Sequence, residues 1–222
     1  MICFIPAAGY GKRMGSLTID LPKPLLKLGS TTLLDNTINL AKSWGAEKIV
    51  INTHYLAEKI HNHIEKIKDI EIIVSHEKER ILGTAGGIKT ALYDHLNEDD
   101  YLICMNPDVI YETNINIIES INNYNGKCLL FLYEKGNEDS YTSLTLDSGK
   151  VYFTKGNYMF TGMSIIHFSI FNNIKTNEYF DLADIFRSLA SNNDLDGQIF
   201  PGKFYDIGDA KKYNEYLKSK DY

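Results

Sequence analysis

The sequence predicts an α/β protein built on a mainly parallel, three-layer sheet with helices on both faces and a small antiparallel excursion. Three observations predict it. Short apolar runs alternate with helically spaced segments through the first half of the chain. Those runs are apolar throughout rather than at every second residue, as in strands covered on both sides. The second half then turns to strands separated by turn dipeptides.

Taken in order, "ICFIPA" (2–7) reads as a buried strand. "TTLLDNTINLAKSWGA" (31–46) sets Leu33, Leu34, Ile38, Ala41 and Trp44 at helical spacing and stops at Gly45. "KIVINT" (48–53) is a second strand, and Leu56, Ile60, Ile64 and Ile67 stripe the next helix. "IEIIVS" (70–75), "GGIKTALYDHL" (86–96) and "YLICMN" (101–106) continue the alternation. The strands "KCLLFLYE" (127–134), "SLTLD" (143–147), "KVYFT" (150–154) and "GMSIIHF" (162–168) follow, with turns at Ser148–Gly149 and Lys155–Gly156. "FDLADIFRSLASN" (180–192) is a helix, "GKFYDIGD" (202–209) follows it, and a helix over about 210–220 closes the chain. No repeat, linker or composition shift divides the chain, so one domain is expected over residues 1–222.

A chain of 222 residues buries a continuous core without disulfides or metal. Its net charge of −6 argues against a nucleic-acid binder, which presents a basic face. Cys3, Cys104 and Cys128 are scattered in apolar runs and read as reduced core residues of a cytoplasmic protein. The N-terminal apolar run is too short for a signal peptide, and no run reaches the roughly 18–20 residues of a membrane span. The six histidines do not cluster with cysteine as a zinc site would, and His61 and His63 fall on a charged helix as solvated residues.

Positive charge gathers instead in "PAAGYGKRMGSLTIDLPKPL" (6–25). Gly9 and Gly11 at the strand-to-helix turn allow backbone N–H groups to approach an anion, although two glycines alone favour a plain turn. The dinucleotide pattern G-x-G-x-x-G fails at Met14, and the Walker A pattern fails because Arg13 follows Lys12. Pro24 keeps Lys23 out of a regular helix, leaving an extended, rigid cation near the glycine turn.

The segment "IPAAGYGKRMGSLTIDLPKPLLKLGSTTLLDNTI" resembles the opening of the sugar-1-phosphate nucleotidylyltransferases, with their L-A-A-G-x-G-T-R-M/L and P-K-P-L motifs. Pro6 and Lys12 stand where leucine and threonine are usual. "INTHYLAEKI" (51–60), "ILGTAGGIKTAL" (81–92), "FTGMSIIH" (160–167) and "FYDIGDAKKY" (204–213) continue the resemblance in family order. It is nearest to the N-acetylmuramate-1-phosphate uridylyltransferases and the mannose-1-phosphate guanylyltransferase-like proteins.

The resemblance implies a Rossmann-like sheet of the nucleotide-diphospho-sugar transferase type. It also implies a reaction in which a sugar 1-phosphate attacks the α-phosphorus of a nucleoside triphosphate, with loss of pyrophosphate. By resemblance, Ala7, Ala8, Gly9, Gly11 and Lys12 contact the nucleotide, and Arg13 and Lys23 meet its phosphates catalytically. Gly83, Thr84, Ala85 and Gly86 border the base, with Thr84 also a candidate helix cap. Asp108 and Asp206 are implied to hold Mg²⁺, Asp108 thereby acting in catalysis; each aspartate alone, without the opening loop, reads first as a turn residue. Pro107 and Asp209 depart from the pattern beside these positions and leave their effect on metal and activity open. Asn106, Asn157, Thr161 and Gly162 are implied to face the sugar, with Lys155 and Phe160 nearby and His54 near the base. The resemblance favours UTP with N-acetylmuramate 1-phosphate, then GTP with a mannose- or heptose-type 1-phosphate, without fixing base or sugar, and a monomer or homodimer is expected. A cytidylyltransferase for a non-sugar phosphate and a non-catalytic nucleotide-binding domain stand as alternatives.

Overall fold

The computed structural model describes residues 1–136 and 140–220. β1 (Ile2–Pro6) leads through a 3-10 segment (Lys12–Thr18) and a single 3-10 turn (Lys23–Leu25) to β2 (Lys27–Leu28), β3 (Thr31–Thr32) and α1 (Leu33–Ser43). β4 (Lys48–Thr53), α2 (Ala57–Ile64), β5 (Glu71–His76), α3 (Gly83–Leu92) and β6 (Tyr101–Met105) follow. Next come β7 (Val109–Thr113), α4 (Ile117–Asn122), β8 (Cys128–Glu134), β9 (Thr145–Asp147), β10 (Lys150–Tyr152) and β11 (Tyr158–His167). The chain ends with α5 (Leu182–Ser191), β12 (Leu195–Ile199), β13 (Gly202–Asp206) and α6 (Ala210–Ser219).

Nine strands form one sheet in the order β5-β4-β1-β6-β11-β8-β12-β10-β9. The run β5-β4-β1-β6 is parallel, as is the pair β8-β12, while β11 lies antiparallel between β6 and β8. The antiparallel strands therefore widen the parallel sheet sideways instead of lying over it. Successive core residues fall on opposite faces: Phe4, Cys104 and Leu130 pack on one, and Ile5, Ile103 and Phe131 on the other. This double burial explains the unbroken apolar runs.

Three elements escape the periodicity argument. β12 reads Leu-Asp-Gly-Gln-Ile, a poor strand composition, yet β8 supplies a parallel partner at each of its five residues. β7 pairs with β13 in a separate two-stranded ribbon, and α4 is a helix of only six residues. The Ser148–Gly149 turn is as expected: both residues have positive φ, the geometry of a two-residue hairpin between β9 and β10. No helix among the described residues is long and apolar enough to cross a membrane.

Candidate active site

The parallel run reverses direction at β1: the chain builds outward through β4 and β5, then returns to β6 on the other side. Ligands of such sheets bind beyond the carboxyl ends of the strands at this switch point. A cleft of about 550 Å³ lies there, lined by the segment after β1 (residues 6–13), by Asn52 from β4 and by Asn106, Pro107 and Asp108 after β6. Lys23, Gly83, Thr84 and Gly208 complete its walls. Ala7, Ala8, Gly9, Gly11, Lys12, Arg13, Lys23, Gly83, Thr84, Asn106 and Asp108 thus gather in one cleft from four separate stretches of chain.

Asp108 stands at one end of the cleft, beside the strand that carries Asp206. β7 and β13 pair antiparallel with Asp206 opposite Val109, and the Ile207 amide donates to the Asp108 carbonyl at 2.8 Å. This ribbon, unforeseen from the sequence, is what sets Asp108 beside Asp206. Lys23 Nζ donates to Asp108 Oδ2 at 2.5 Å and to the Gly208 carbonyl at 2.8 Å. Lys23 is not extended as expected: it opens a one-turn 3-10 helix, which is short enough to accept Pro24. Arg13 reaches the same corner, since a Cβ placed on Gly208 would lie 2.7 Å from Asp206 Oδ1 and 3.2 Å from Arg13 Nη1.

Asp206 Oδ2 accepts from the Tyr141 hydroxyl and, at 3.1 Å, from Lys212 Nζ, which also donates to Tyr141. Burial, then the bond to Asp206, pushes the Tyr141 phenol up to about 12, so it remains a donor at neutral pH. Asp209, expected to add charge near the substrate, is the N-cap of α6: its Oδ1 accepts from the Lys212 amide at 2.9 Å.

Neither Tyr141 nor a second network was visible in the sequence. Ala7 N–H donates to Asn52 Oδ1 at 2.8 Å, and Asn52 Nδ2 donates to Glu77 Oε1 at 2.7 Å. Glu77 Oε2 accepts from the Leu82 amide at 2.8 Å. One buried carboxylate thereby ties the turn after β1, the end of β4 and the start of α3 together. Burial raises the Glu77 carboxyl above its ordinary value, against the lowering effect of the Asn52 and Leu82 bonds. A Glu beyond a strand reads as surface charge, so only the fold reveals it.

Beside the cleft lies a chamber of about 310 Å³ that shares Thr84 and Asn106 with it. Its walls include Leu130, Leu144, Phe153, Met159, Phe160 and Phe186, with Tyr141, Asp181 and Arg187 as polar members. Gly162 lies on its floor at φ +86, where a Cβ would stand 2.8 Å from the Asn106 amide, so only glycine fits. Among the described residues, Ser164 Oγ alone is a buried side-chain polar atom without a partner. Ser164 sits in register between Cys104 and Leu130, which line the chamber.

Several expectations fail on position. Thr161 is fully buried, its hydroxyl committed to the Phe131 carbonyl at 2.9 Å, because strand alternation turns it away from the face that bears Phe160. Asn157 and Lys155 lie exposed in the β10–β11 turn and line neither cavity. Gly86 packs behind the cleft, where a Cβ would lie 2.2 Å from the Glu178 carbonyl. Thr84 does not cap α3; the cap is Leu82, with no side-chain bond. His54 stands behind Tyr10, bonded to the Glu77 carbonyl at 2.6 Å. His61 and His63 are half-buried and bonded to Thr53 and Asp35.

A family model described as nucleotidyl transferase matches residues 3–220. The chain belongs to the nucleotidyl transferase family. Among curated members, a probable mannose-1-phosphate guanylyltransferase of Oryza sativa subsp. japonica is 25% identical over 96% of this chain and 63% of its own length. The N-acetylmuramate alpha-1-phosphate uridylyltransferase of Caulobacter vibrioides is 36% identical over 41% of this chain and 39% of its own. This chain therefore spans less than two thirds of those relatives. In fold, the chain is similar to a putative glucose-1-phosphate thymidylyltransferase from Bacillus anthracis, with TM-score 0.83, 16% identity, and 99% and 95% of the two chains covered. HddC from Yersinia pseudotuberculosis complexed with GMP-PN gives TM-score 0.78, 20% identity and 99% coverage of both chains.

Proposed function

We propose that this chain transfers a nucleoside monophosphate from a nucleoside triphosphate to a sugar 1-phosphate, giving an NDP-sugar and pyrophosphate. UTP with N-acetylmuramate 1-phosphate is the favoured pair, and GTP with a mannose- or heptose-type 1-phosphate is next. Both choices rest on what similar proteins are named for. One observation carries the reading: three cations and Asp108 line a glycine-turn cleft, with Asp206 on the strand paired beside Asp108 and a second, apolar chamber adjoining.

In this reading the triphosphate lies over residues 7–11, whose backbone approaches it closely. Lys12 and Arg13 offset its charge. Lys23, which neutralises Asp108 in the free chain, turns its ammonium to the phosphates as they bind. The acceptor lies in the chamber with its phosphate towards Asn106 and Tyr141. Its phosphate oxygen attacks the α-phosphorus in line, a P–O bond forms, and the bond to the β-phosphate oxygen breaks. Pyrophosphate leaves with that electron pair against Arg13 and Lys23. The attacking oxygen is already anionic, so no general base is needed.

Asp108 and Asp206 suit Mg²⁺: they are two hard oxygen donors whose protein hydrogen bonds among the described residues fall on Oδ2, leaving each Oδ1 as a ligand. No group of three or more candidate ligands occurs among the described residues, which fits an ion completed by phosphate and water. When bound, Mg²⁺ supplies charge neutralisation at the α-phosphate.

The test is pyrophosphate release with Mg²⁺ across four nucleoside triphosphates and a panel of sugar 1-phosphates. Turnover of at least one pair is expected. Silence throughout, with nucleotide still bound, favours the non-catalytic alternative.

A further inference from the structure

Asp206 stands between two cavities. Its Oδ1 lies on the side of Gly208 and Arg13, which line the cleft. Its other side forms part of a groove of about 830 Å³, together with Tyr141, Asp209 and Lys212. Oδ2 accepts from both Tyr141 and Lys212, and neither of these residues lines the cleft. The two bonds therefore hold the carboxylate from behind.

An aspartate does not by itself fix which oxygen it presents. The torsion that turns its carboxylate plane is broad and roughly two-fold, so the oxygens exchange places unless donors distinguish them. Here both donors fall on the same oxygen. Lys212 Nζ also donates to the Tyr141 hydroxyl and lies 4.2 Å from the centre of its ring, so the two partners brace each other. Lys212 is braced in turn through its backbone: it lies in the first turn of α6, and its amide is the one that Asp209 caps. The side chains of Lys212 and Asp206 are only 24% and 18% exposed, so solvent screens them less than a surface pair. Asp108 differs, because its partner Lys23 is itself a cleft residue.

We propose that Tyr141 and Lys212 are positioning residues that fix the Asp206 carboxylate with Oδ1 towards the cleft, and so raise its affinity for the divalent cation. The inference rests on the reading above that Asp206 is a metal ligand. In this role each residue acts through Asp206, and both stay in place when Lys23 leaves Asp108 for the phosphates. Partners that orient a ligating carboxylate are typically worth about 10- to 100-fold in metal affinity.

The test is the factor by which Mn²⁺ tightens nucleotide, taken by calorimetry as the ratio of UTP affinities with Mn²⁺ and with EDTA; GTP is titrated in the same way. No acceptor is present, so the place of Tyr141 on the chamber wall does not enter. Tyr141→Phe should cut that factor about tenfold or more and leave the affinity in EDTA unchanged. Lys212→Met should do the same, although removing a cation beside a metal site would by charge alone tighten the metal. Lys212→Arg, which keeps a charged donor there, should recover part of the factor. A factor unchanged in either Tyr141→Phe or Lys212→Met, or raised in the latter, overturns the inference and leaves the metal reading of Asp206 standing. Equal weakening with and without Mn²⁺ also overturns it, because the damage then lies away from the metal. If Mn²⁺ tightens neither nucleotide in the wild-type protein, the metal reading falls and this inference with it.

Discussion

Asp108 and Lys23 form the ion pair on which the proposed chemistry turns, with side chains only 21% and 11% exposed. Asp108→Asn should lower kcat by about 100-fold or more, since it weakens the proposed hold on the Mg²⁺ that would neutralise charge at the transferred phosphate. Steady-state pyrophosphate release measures this, and near wild-type turnover would remove Asp108 from the metal site. Glu77 acts one step further back. Glu77→Gln sets an amide against either the Leu82 N–H or the Asn52 amide, donor facing donor, and should cost about 1–3 kcal/mol in urea unfolding. Through Asn52 and the Ala7 N–H it should also weaken nucleotide binding, read by calorimetry. Unchanged affinity in a destabilised variant would confine Glu77 to folding alone.

The helix α1 shows how a local motif is strengthened by its neighbour. Thr32 and Asp35 form a capping box, and His63 of α2 meets Asp35 at 2.6 Å. Burial alone would raise the Asp35 carboxyl, but bonds from His63 and Thr32 together hold it below its ordinary value. A carboxyl depressed in the folded state stabilises above its unfolded pKa and loses that stabilisation as pH falls through the folded one. Asp35→Asn should therefore destabilise by about 1 kcal/mol at pH 7, with the gap to wild type closing below about pH 4. Urea titrations at the two pH values check it; a gap that widens on acidification would contradict the sign.

Across the molecule, the sheet buries all three thiols. Cys3 and Cys128 have no exposed surface, and burial pushes all three thiols up, Cys104 to about 12. Since the thiolate is the reactive form, no thiol should react with a disulfide reagent in the native protein, and all three should react in denaturant. Rapid native labelling of Cys104 would show that the chamber floor opens.

Much of this architecture was legible in residue order. Strands buried on both faces are apolar at every position, as in "KIVINT", and helices such as α1 carry their stripe and cap locally, so short-range pattern was enough. The opening turn, Arg13, Lys23, Asp108 and Asp206 were marked by motif, and all of them meet at one corner. What residue order did not hold was pairing at a distance. Lys23 finds Asp108 across 85 residues, and Asn52 finds Glu77 through adjoining strand ends. Tyr141 is an undistinguished turn residue until Asp206 is brought to it by the β7–β13 ribbon. Thr161 matched a motif, yet strand alternation faced it into the core. Periodicity and caps are written within a few residues, whereas the chemistry of this cleft depends on which strand ends the sheet order sets side by side.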